Sequence, residues 1–323
     1  MYFPKVVVLL STAATIQAIS FEGLTNDVVH YAREIKLPGM IAVKRALRNP
    51  FEGRQDGCPE VWGSIAEELK QRFLANGECT DAARAAIRAA FHDCFPGQGC
   101  DGSLFLAQEF TRERENGGLA PISEDLGKLA QAKGVSVADM FQFAGAYAIA
   151  TCPMGPRIPA YVGRTDSWTP APEGELPNPF MTGDAVLASF QAKGFSARDL
   201  AALIGAHTAA KQSRVDPSQA GAALDQTPGV WDVSYYQQLL DNSAPFRIPA
   251  DLGVAHQPET GEHFNSFIGN QFGWNEAFTS AMEKMSLLGV PGGAASLVDC
   301  SRFLPGGSVQ RDRRAAPING RIL

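Results

Sequence analysis

The ten residues 199–208 constrain the fold of this chain more than any other stretch, because they predict a buried helix that ends in a histidine. Nearly all of their side chains are small or apolar, and His207 and Thr208 close the run. Ser196 stands three residues before Asp199, which is the spacing of a helix-capping box. The buried face recurs at helical spacing and comprises Leu200, Leu203, Ile204 and His207. These residues alone leave two interpretations of the histidine open, a hydrogen-bonded core residue or a metal ligand.

Composition sets the broad class of protein. The chain has 323 residues, enough for one large domain or two ordinary ones. Its hydrophobic content of 45% and charged content of 19% indicate a globular protein rather than a disordered one. The formal net charge of −6 argues against nucleic acid as the main partner.

The N-terminus has the layout of a secretory signal peptide over residues 1–18. Lys5 precedes a short apolar run, and small residues follow as far as Ala18, where cleavage is expected. The run is too short to span a bilayer and no later stretch reaches about 18 apolar residues, so we expect a secreted protein without a membrane span. A buried N-terminal helix is the alternative interpretation. Residues 19–57 are polar and weakly patterned, which predicts a pro-segment or a flexible arm.

The cysteine content fits a secreted, oxidised protein with up to three disulfides. The six cysteines are Cys58, Cys79, Cys94, Cys100, Cys152 and Cys300. None of them has the C-x-x-C spacing, which weighs against a zinc ribbon, a thioredoxin-type site and covalently attached haem. Spacing alone does not choose among the possible pairings.

Helical periodicity dominates the rest of the chain, and no regular series of strands is predicted. Apolar spacing predicts a helix between Cys58 and Leu74, and Thr80 caps a second, alanine-rich helix that runs to about Phe91. Residues 133–140 and 193–200 repeat one pattern, a loop glycine, a capping serine and an apolar helix, as expected for matching helices of two halves. Further helices are predicted at residues 233–240 and 275–288. The fold class is therefore mainly α.

The second helix carries an unusual pair, Arg88 and His92, which lie four residues apart and so share one face. The guanidinium charge lowers the pKa of the imidazole by repulsion. A neutral histidine beside a fixed positive charge is suited to taking a proton and then stabilising negative charge. A surface Arg/His pair is the alternative, although the flanking Ile87 and Phe91 favour a buried site.

Two clusters of oxygen-bearing residues suit a hard cation such as Ca²⁺, although neither has the spacing of an EF-hand. The first comprises Asp93, Gly99, Asp101 and Ser103. The second comprises Thr208, Asp225, Thr227, Val230 and Asp232. The alternatives are a polar turn for the first cluster and a capping turn before the next helix for the second.

Residues 88–94 and 199–208 together resemble the distal and proximal signatures of the secreted plant and fungal haem peroxidases. The likeness runs from about Cys58 to about Pro305. The second half is similar to fungal class II enzymes and the short 94–100 loop to plant class III, so the chain resembles an ascomycete class II-like peroxidase. The resemblance implies a peroxidase domain over residues 58–300, in which two helical halves (58–165 and 166–300) enclose one non-covalent haem b. Residues 301–323 would then form a tail.

The resemblance also implies roles for single residues. His207 matches the axial ligand of haem iron, and Asp251 matches the carboxylate behind it, with Asp241 as a competitor. His92 matches the distal acid/base and Arg88 its partner. The remaining matches are Asn116 as the hydrogen-bond acceptor of the distal histidine or a plain turn residue, Phe91 as the distal aromatic residue, and Leu224 where many relatives have an aromatic side chain below the axial histidine.

The two oxygen clusters match the two calcium sites of the family, with Gly99 and Val230 contributing backbone carbonyls. The resemblance implies the disulfides Cys58–Cys300, Cys79–Cys152 and Cys94–Cys100. It further implies that His92 moves a proton between the two oxygens of hydrogen peroxide while Arg88 stabilises the departing oxygen. Two single-electron donations from organic molecules complete the reaction.

The specialised substrates of the family are not expected here. Manganese-oxidising members use three acidic side chains, and the matching positions hold Asp81, Ala85 and Ser213. One carboxylate is a weak Mn²⁺ site. Lignin-oxidising members carry a surface tryptophan where this chain has Ala202, and packing roles are expected of Trp62, Trp168, Trp231 and Trp274. We therefore expect a monomer that oxidises small phenols. The alternative is a catalytically inactive, calcium-stabilised binding or effector protein on the same fold.

Overall fold

The computed structural model describes residues 57–306. The predicted signal peptide at 1–18 and the arm at 19–57, apart from Gly57, lie outside the described residues, and the predicted tail is described only as far as Gly306. None of the helices described is long and apolar enough to cross a membrane.

The described part of the chain is mainly helical, which confirms the predicted fold class. Its α-helices are α1 (Val61–Phe73), α2 (Asp81–Cys94), α3 (Ser103–Leu106), α4 (Glu113–Asn116), α5 (Ala120–Lys133), α6 (Val137–Thr151), α7 (Gly183–Ala192), α8 (Ala197–Ile204), α9 (Ser234–Asp241), α10 (Pro249–His256), α11 (Pro258–Ser266) and α12 (Gln271–Ser286). Two short antiparallel pairs add β1 (Leu74–Ala75) with β2 (Glu78–Cys79) and β3 (Tyr161–Val162) with β4 (Val298–Asp299). Short 3₁₀ turns occur between them, among them Gly205–Ala209.

The predicted capping residues start three of these helices. The hydroxyl of Thr80 accepts a hydrogen bond from the Ala83 amide, which begins α2. Ser136 begins α6 in the same way. Ser196 forms a full capping box, because its hydroxyl accepts from the amide of Asp199 while the carboxylate of Asp199 accepts from the amide of Ser196.

Two helix ends differ from the sequence-based prediction. The second helix continues past Phe91 to Cys94, so that Arg88 and His92 both belong to α2. Helix α8 ends at Ile204. His207 lies on the following 3₁₀ turn, Gly205–Ala209, rather than on a continuous α-helix. The α-helix ends there because side chains from other helices donate hydrogen bonds to the carbonyls of its last turn.

Tyr236 and Trp274 are those side chains. The hydroxyl of Tyr236 donates to the carbonyl of Ala201 at 2.9 Å, and the indole N–H of Trp274 donates to that of Ala202 at 3.0 Å. These carbonyls would otherwise accept the next amides of an α-helix. The amide of Gly205 donates instead to the carbonyls of Ala202 and Leu203, which is the tighter geometry of a 3₁₀ turn, so the carbonyl of Ala202 accepts from both Gly205 and Trp274.

Four of the longer helices lacked a predicted counterpart, α5, α7, α10 and α11, as did the one-turn helices α3 and α4. Three of them have proline in the first turn, where a missing N–H costs nothing. A packing role was expected of every tryptophan; Trp62, Trp231 and Trp274 are buried, whereas Trp168 is 69% exposed. The packing prediction for Trp168 is wrong, because it lies in a proline-rich connection outside any helix.

Helix α6 organises the first half of the described chain and α8 the second. Almost every residue of α6 is buried, and it packs against α1, α2 and α5. Gly145 permits the closest approach, since a methyl group there would lie 2.6 Å from the Cβ of Ala90 on α2. Helix α8 packs against α11 and α12, while α7 packs against α10. The result is a rigid support for α2 on one side and for residues 205–209 on the other.

Three disulfides fasten this arrangement, and they are the pairs that the resemblance implies. Cys58–Cys300 joins the two ends of the described chain across 242 residues. Cys79–Cys152 joins the start of α2 to the end of α6, and Cys94–Cys100 closes the loop that follows α2. Removal of a native disulfide from a secreted domain typically costs about 2–5 kcal/mol.

Candidate functional site

The first part of the site is a histidine whose tautomer the structure defines. His92 is buried on α2, and its Nδ1 lies 2.7 Å from Oδ1 of Asn116. The amide of Asn116 is oriented by its own Nδ2, which donates to the carbonyl of Glu109 at 2.8 Å. Because Oδ1 can only accept, Nδ1 of His92 carries the hydrogen. Its Nε2 is therefore the unprotonated nitrogen, free to take a proton.

Arg88 supplies the charge beside this histidine. Its Nη1 donates to the carbonyl of Gly117 at 2.8 Å and its Nη2 to that of Glu115 at 3.2 Å. Burial, together with the charge of Arg88, holds the pKa of His92 well below its usual range. Burial and the nearby Arg214 lower the pKa of Arg88 to about 10, so its guanidinium remains charged at neutral pH. The pair is a neutral base next to a fixed cation.

Phe91 completes this side of the site. Its ring is 5.7 Å from that of His92 in an edge-on arrangement. It stacks on Phe95 at 4.9 Å and on Phe190 at 6.1 Å, which ties α2 to α7. The aromatic column limits movement of the helix that carries Arg88 and His92.

The second part of the site is a histidine with a carboxylate partner. Nδ1 of His207 lies 2.7 Å from Oδ2 of Asp251, which is buried on α10. Of the two candidate carboxylates, the structure brings Asp251 to the histidine. Asp241 instead accepts hydrogen bonds from Gln237 and Ser243 at the surface.

Tyr235 is a second donor to the same carboxylate. Its hydroxyl donates to Oδ2 of Asp251 at 2.8 Å, and its ring meets that of His207 edge-on at 5.9 Å. Burial and the charge of Asp251 raise the pKa of Tyr235 well above its usual range, so the hydroxyl stays protonated. Sequence reasoning missed this residue, because an apolar helical pattern around it gave no sign of a polar partner. Leu224 is buried near this region, with its amide bonded to the carbonyl of Ala210 at 3.1 Å.

The first oxygen cluster gathers immediately after α2. The buried carboxylate of Asp93 accepts from the amides of Gly102 and Leu104, and Asp101 accepts from the amide of Ser103. Burial raises the pKa of Asp93 well above its usual range, with a contribution from Asp101. Gly99 lies in the same loop, at a backbone φ of 121° that favours glycine. The structure therefore joins Asp93, at the end of α2, to the segment that contains Gly99, Asp101 and Ser103.

The second oxygen cluster is joined directly to His207 through Thr208. The buried hydroxyl of Thr208 donates to Oδ2 of Asp225 at 2.6 Å, and that of Thr227 donates to Asp232 at 2.9 Å. Burial raises the pKa of Asp225 to about 6, and the charge of Asp232 acts in the same direction. The amide of Val230 bonds the carbonyl of Thr227 and keeps it in this loop.

Residues 57–306 contain no group of three or more His, Cys, Asp or Glu side chains arranged to hold a metal. Both oxygen clusters contain two carboxylates, with hydroxyls and backbone carbonyls as the remaining oxygen atoms.

One edge of the site carries cations that sequence reasoning also missed. Lys211 lies 3.1 Å from the carboxylate of Asp81, which also pairs with Arg84. Arg214 pairs with Glu113 at 2.5 Å and lies close to Arg88. Lys211 and Arg214 follow His207 by four and seven residues, but residues 210–214 are not helical, so helical spacing gave no signal for them.

Comparison with known proteins identifies the class. Residues 65–270 match the family described as Peroxidase, and the chain belongs to that family. Manganese peroxidase 3 of Phlebia radiata is 30% identical over 273 residues, which cover 75% of both chains. A low-redox potential peroxidase of Taiwanofungus camphoratus is 34% identical, over 76% of this chain and 77% of the relative. A peroxidase of Arthromyces ramosus is 28% identical over 80% of this chain and 78% of the relative.

The protein is thus a haem-dependent peroxidase of the fungal type, an enzyme that uses hydrogen peroxide and a reducing substrate. The residues present fit the haem. With Nδ1 of His207 bound to Asp251, its Nε2 is the nitrogen left for iron, and 36% of the side chain remains accessible between buried neighbours. Arg88 likewise keeps accessible surface while the surrounding protein lowers its pKa.

Proposed function

We propose that this protein is a secreted peroxidase that reduces hydrogen peroxide and oxidises small phenols by single-electron steps. The observation that carries the proposal is the contrast between two histidines. Nδ1 of His92 faces a neutral amide at 2.7 Å, whereas Nδ1 of His207 faces a carboxylate at 2.7 Å. A neutral partner leaves a base that can gain and lose a proton, and a charged partner makes a strongly donating metal ligand.

On the distal side, the proton moves through one nitrogen. Nε2 of His92 takes a proton from one oxygen of hydrogen peroxide and returns it to the other oxygen, which leaves as water. Arg88 stabilises the negative charge that develops on the departing oxygen. Asn116 keeps the imidazole in the tautomer that this transfer requires.

On the proximal side, His207 would hold haem through iron, and the haem would supply the electrons that cleave the peroxide bond. Asp251 orients the ring of His207 and increases its basicity. Arg214 would pair with a carboxylate of the haem, because it brings positive charge close to Arg88.

A manganese route has little support in these side chains. Asp81 is neutralised by Arg84 and Lys211, and Ala85 and Ser213 bring no carboxylate. Ala202 is fully buried, with its carbonyl bonded to Trp274, so no surface tryptophan stands at that position. Small aromatic reductants at the haem edge remain the best supported substrates.

Calcium binding by both oxygen clusters, secretion and a monomeric state complete the proposal. The clusters are supported by the burial of Asp93 and Asp225, whose carboxylates accept hydrogen bonds from backbone amides and a hydroxyl but form no ion pair within residues 57–306. Secretion is supported by three disulfides, which persist in oxidising compartments. The alternative of an inactive binding protein finds no support, since every residue of the proposed catalytic set is present.

Reconstitution with haem tests the proposal. The purified protein should bind haem, show its Soret absorption band and react with hydrogen peroxide, and His207→Ala should lose haem on gel filtration. His256→Ala is the matched control, because that histidine is exposed and its ring bonds only the carbonyl of Leu252 in its own helix. Equal haem retention by His207→Ala and His256→Ala would overturn the assignment of the axial ligand.

A further inference from the structure

The unusual feature of the proximal side is that one oxygen atom serves two donors. Oδ2 of Asp251 accepts from His207 at 2.7 Å and from the hydroxyl of Tyr235 at 2.8 Å. Asp251 is 3% exposed and Tyr235 is fully buried. Water therefore has little opportunity to replace the tyrosine, and the second hydrogen bond is a fixed part of the site.

We propose that Tyr235 is a positioning residue that limits how strongly Asp251 polarises His207, and that it thereby raises the reduction potential of the bound iron. The inference rests on the proposed role of His207 as the axial ligand. It deepens that role by identifying the group that sets the electron density on the ligand.

The physical argument concerns the shared charge of the carboxylate. A hydrogen bond from the phenol draws negative charge toward itself, and less of that charge remains for the N–H of His207. The imidazole is then less anionic and donates less strongly to iron. Since a strongly donating ligand stabilises the ferric state, the tyrosine shifts the balance toward the ferrous state.

The edge-on ring contact adds an orienting function. The Tyr235 ring meets His207 at an interplanar angle of 89°, and on its other faces it contacts Tyr236 and Phe264. The ring is therefore held by packing, and the hydroxyl can be removed without emptying the space that the ring fills. This separates the hydrogen bond from the packing in an experiment.

The neighbouring residue provides a matched control. Tyr236 is equally buried and belongs to the same aromatic cluster, but its hydroxyl donates to the carbonyl of Ala201 rather than to Asp251. Tyr235→Phe and Tyr236→Phe each remove one buried hydroxyl. Only Tyr235→Phe should change the reduction potential of the iron through the charge of Asp251.

The test is spectroelectrochemical titration of the haem-loaded protein. The ferric/ferrous potential of Tyr235→Phe should be more negative than that of the parent, and the iron–histidine stretching frequency of the ferrous form should rise. Any effect of Tyr236→Phe on the potential should persist in the Asp251→Asn background, because the hydroxyl of Tyr236 donates to the backbone of α8 rather than to the carboxylate. In the Asp251→Asn background, the shift caused by Tyr235→Phe should largely vanish, because the shared charge is gone.

Several results would overturn the inference. An unchanged potential in Tyr235→Phe refutes it, as does a full shift that persists with Asp251→Asn. If Tyr235→Phe does not fold, 3-fluorotyrosine incorporation replaces it; the stronger phenol donor should raise the potential of the parent and not that of Asp251→Asn. Failure of the parent to bind haem through His207 removes the proposed function and the inference together, whereas the other failures leave the proposed function intact.

Discussion

The two histidines of the site differ in their partners and in how those partners are held. His92 lies inside a regular helix, and a single neutral side chain, Asn116, orients it. His207 lies on a 3₁₀ turn, and a carboxylate that also binds Tyr235 orients it. In the proposed mechanism the same type of side chain serves two chemistries, because the group that faces Nδ1 decides whether Nε2 exchanges protons or donates to a metal.

The largest expected effect separates the proton-transfer role from the ligand role. His92→Ala should retain haem but react with hydrogen peroxide about 10²–10⁴-fold more slowly, since general acid–base catalysis contributes roughly that much. Stopped-flow measurement of the reaction with peroxide gives the rate, and the Soret band gives haem content. Parental reactivity in this variant would show that another group moves the proton.

Removing the negative charge of Asp251 should weaken haem binding, and this effect should be smaller than the loss of peroxide reactivity in His92→Ala. Asp251→Asn keeps the shape of the side chain but replaces the carboxylate with an amide, and partners of metal-ligating histidines typically contribute about 10–100-fold to affinity or activity. Haem dissociation measured by transfer to an acceptor protein should accelerate within that range. Asp241→Asn is the matched control, because its carboxylate accepts only surface hydrogen bonds in the structure. Similar acceleration in both variants would contradict the pairing of Asp251 with His207.

Removing the distal acceptor should cost still less. Asn116→Leu leaves the N–H of His92 without its amide acceptor, so the required tautomer loses its preference, and we expect the peroxide rate to fall roughly tenfold. The same stopped-flow assay measures it, with haem content as the check on folding. A loss as large as that of His92→Ala would instead mean that the substitution displaces the helix.

The distal side was far more predictable from the sequence than the proximal side. Arg88 and His92 lie four residues apart on one helix, and a capping residue announces the start of that helix. Local sequence patterns are therefore enough to predict both helix α2 and the face of it that carries Arg88 and His92. The end of α8 could not be predicted in this way, because it depends on Tyr236 and Trp274, which approach from distant helices.

The partners of the two histidines show the same limit. Asn116 and Asp251 were available from the family resemblance, but no local pattern excludes Asp241 as the carboxylate. Tyr235 could not be recognised, since a tyrosine on the buried face of a helix has the same sequence signature whether its hydroxyl donates to a backbone carbonyl or to a carboxylate. Long-range packing makes that choice, as the different partners of Tyr235 and Tyr236 demonstrate.

The smallest effect concerns the connection between His207 and the second oxygen cluster. Thr208→Val removes the hydroxyl that donates to Asp225 at 2.6 Å and leaves a buried carboxylate short of one donor. An unsatisfied buried polar group costs about 1–3 kcal/mol, so the variant should unfold at a lower temperature. Calcium in excess should stabilise the parent by about 2.7 kcal/mol when its concentration is 100-fold above the dissociation constant, and the variant by less.

Thr227→Val is the matched control for Thr208→Val within the second oxygen cluster. Thr227 donates to Asp232 at 2.9 Å, but unlike Thr208 it is not adjacent to His207. If calcium fixes the turn that carries the histidine, both variants should lose calcium-dependent stability in differential scanning calorimetry, whereas only Thr208→Val should also release haem faster. Equal haem release by the two variants would place the influence of the cluster on the whole fold. If neither added calcium nor a chelator changes the unfolding temperature of the parent, hydrogen bonds alone hold the turn. The carboxylates of Asp225 and Asp232 would then accept hydrogen bonds without binding a metal.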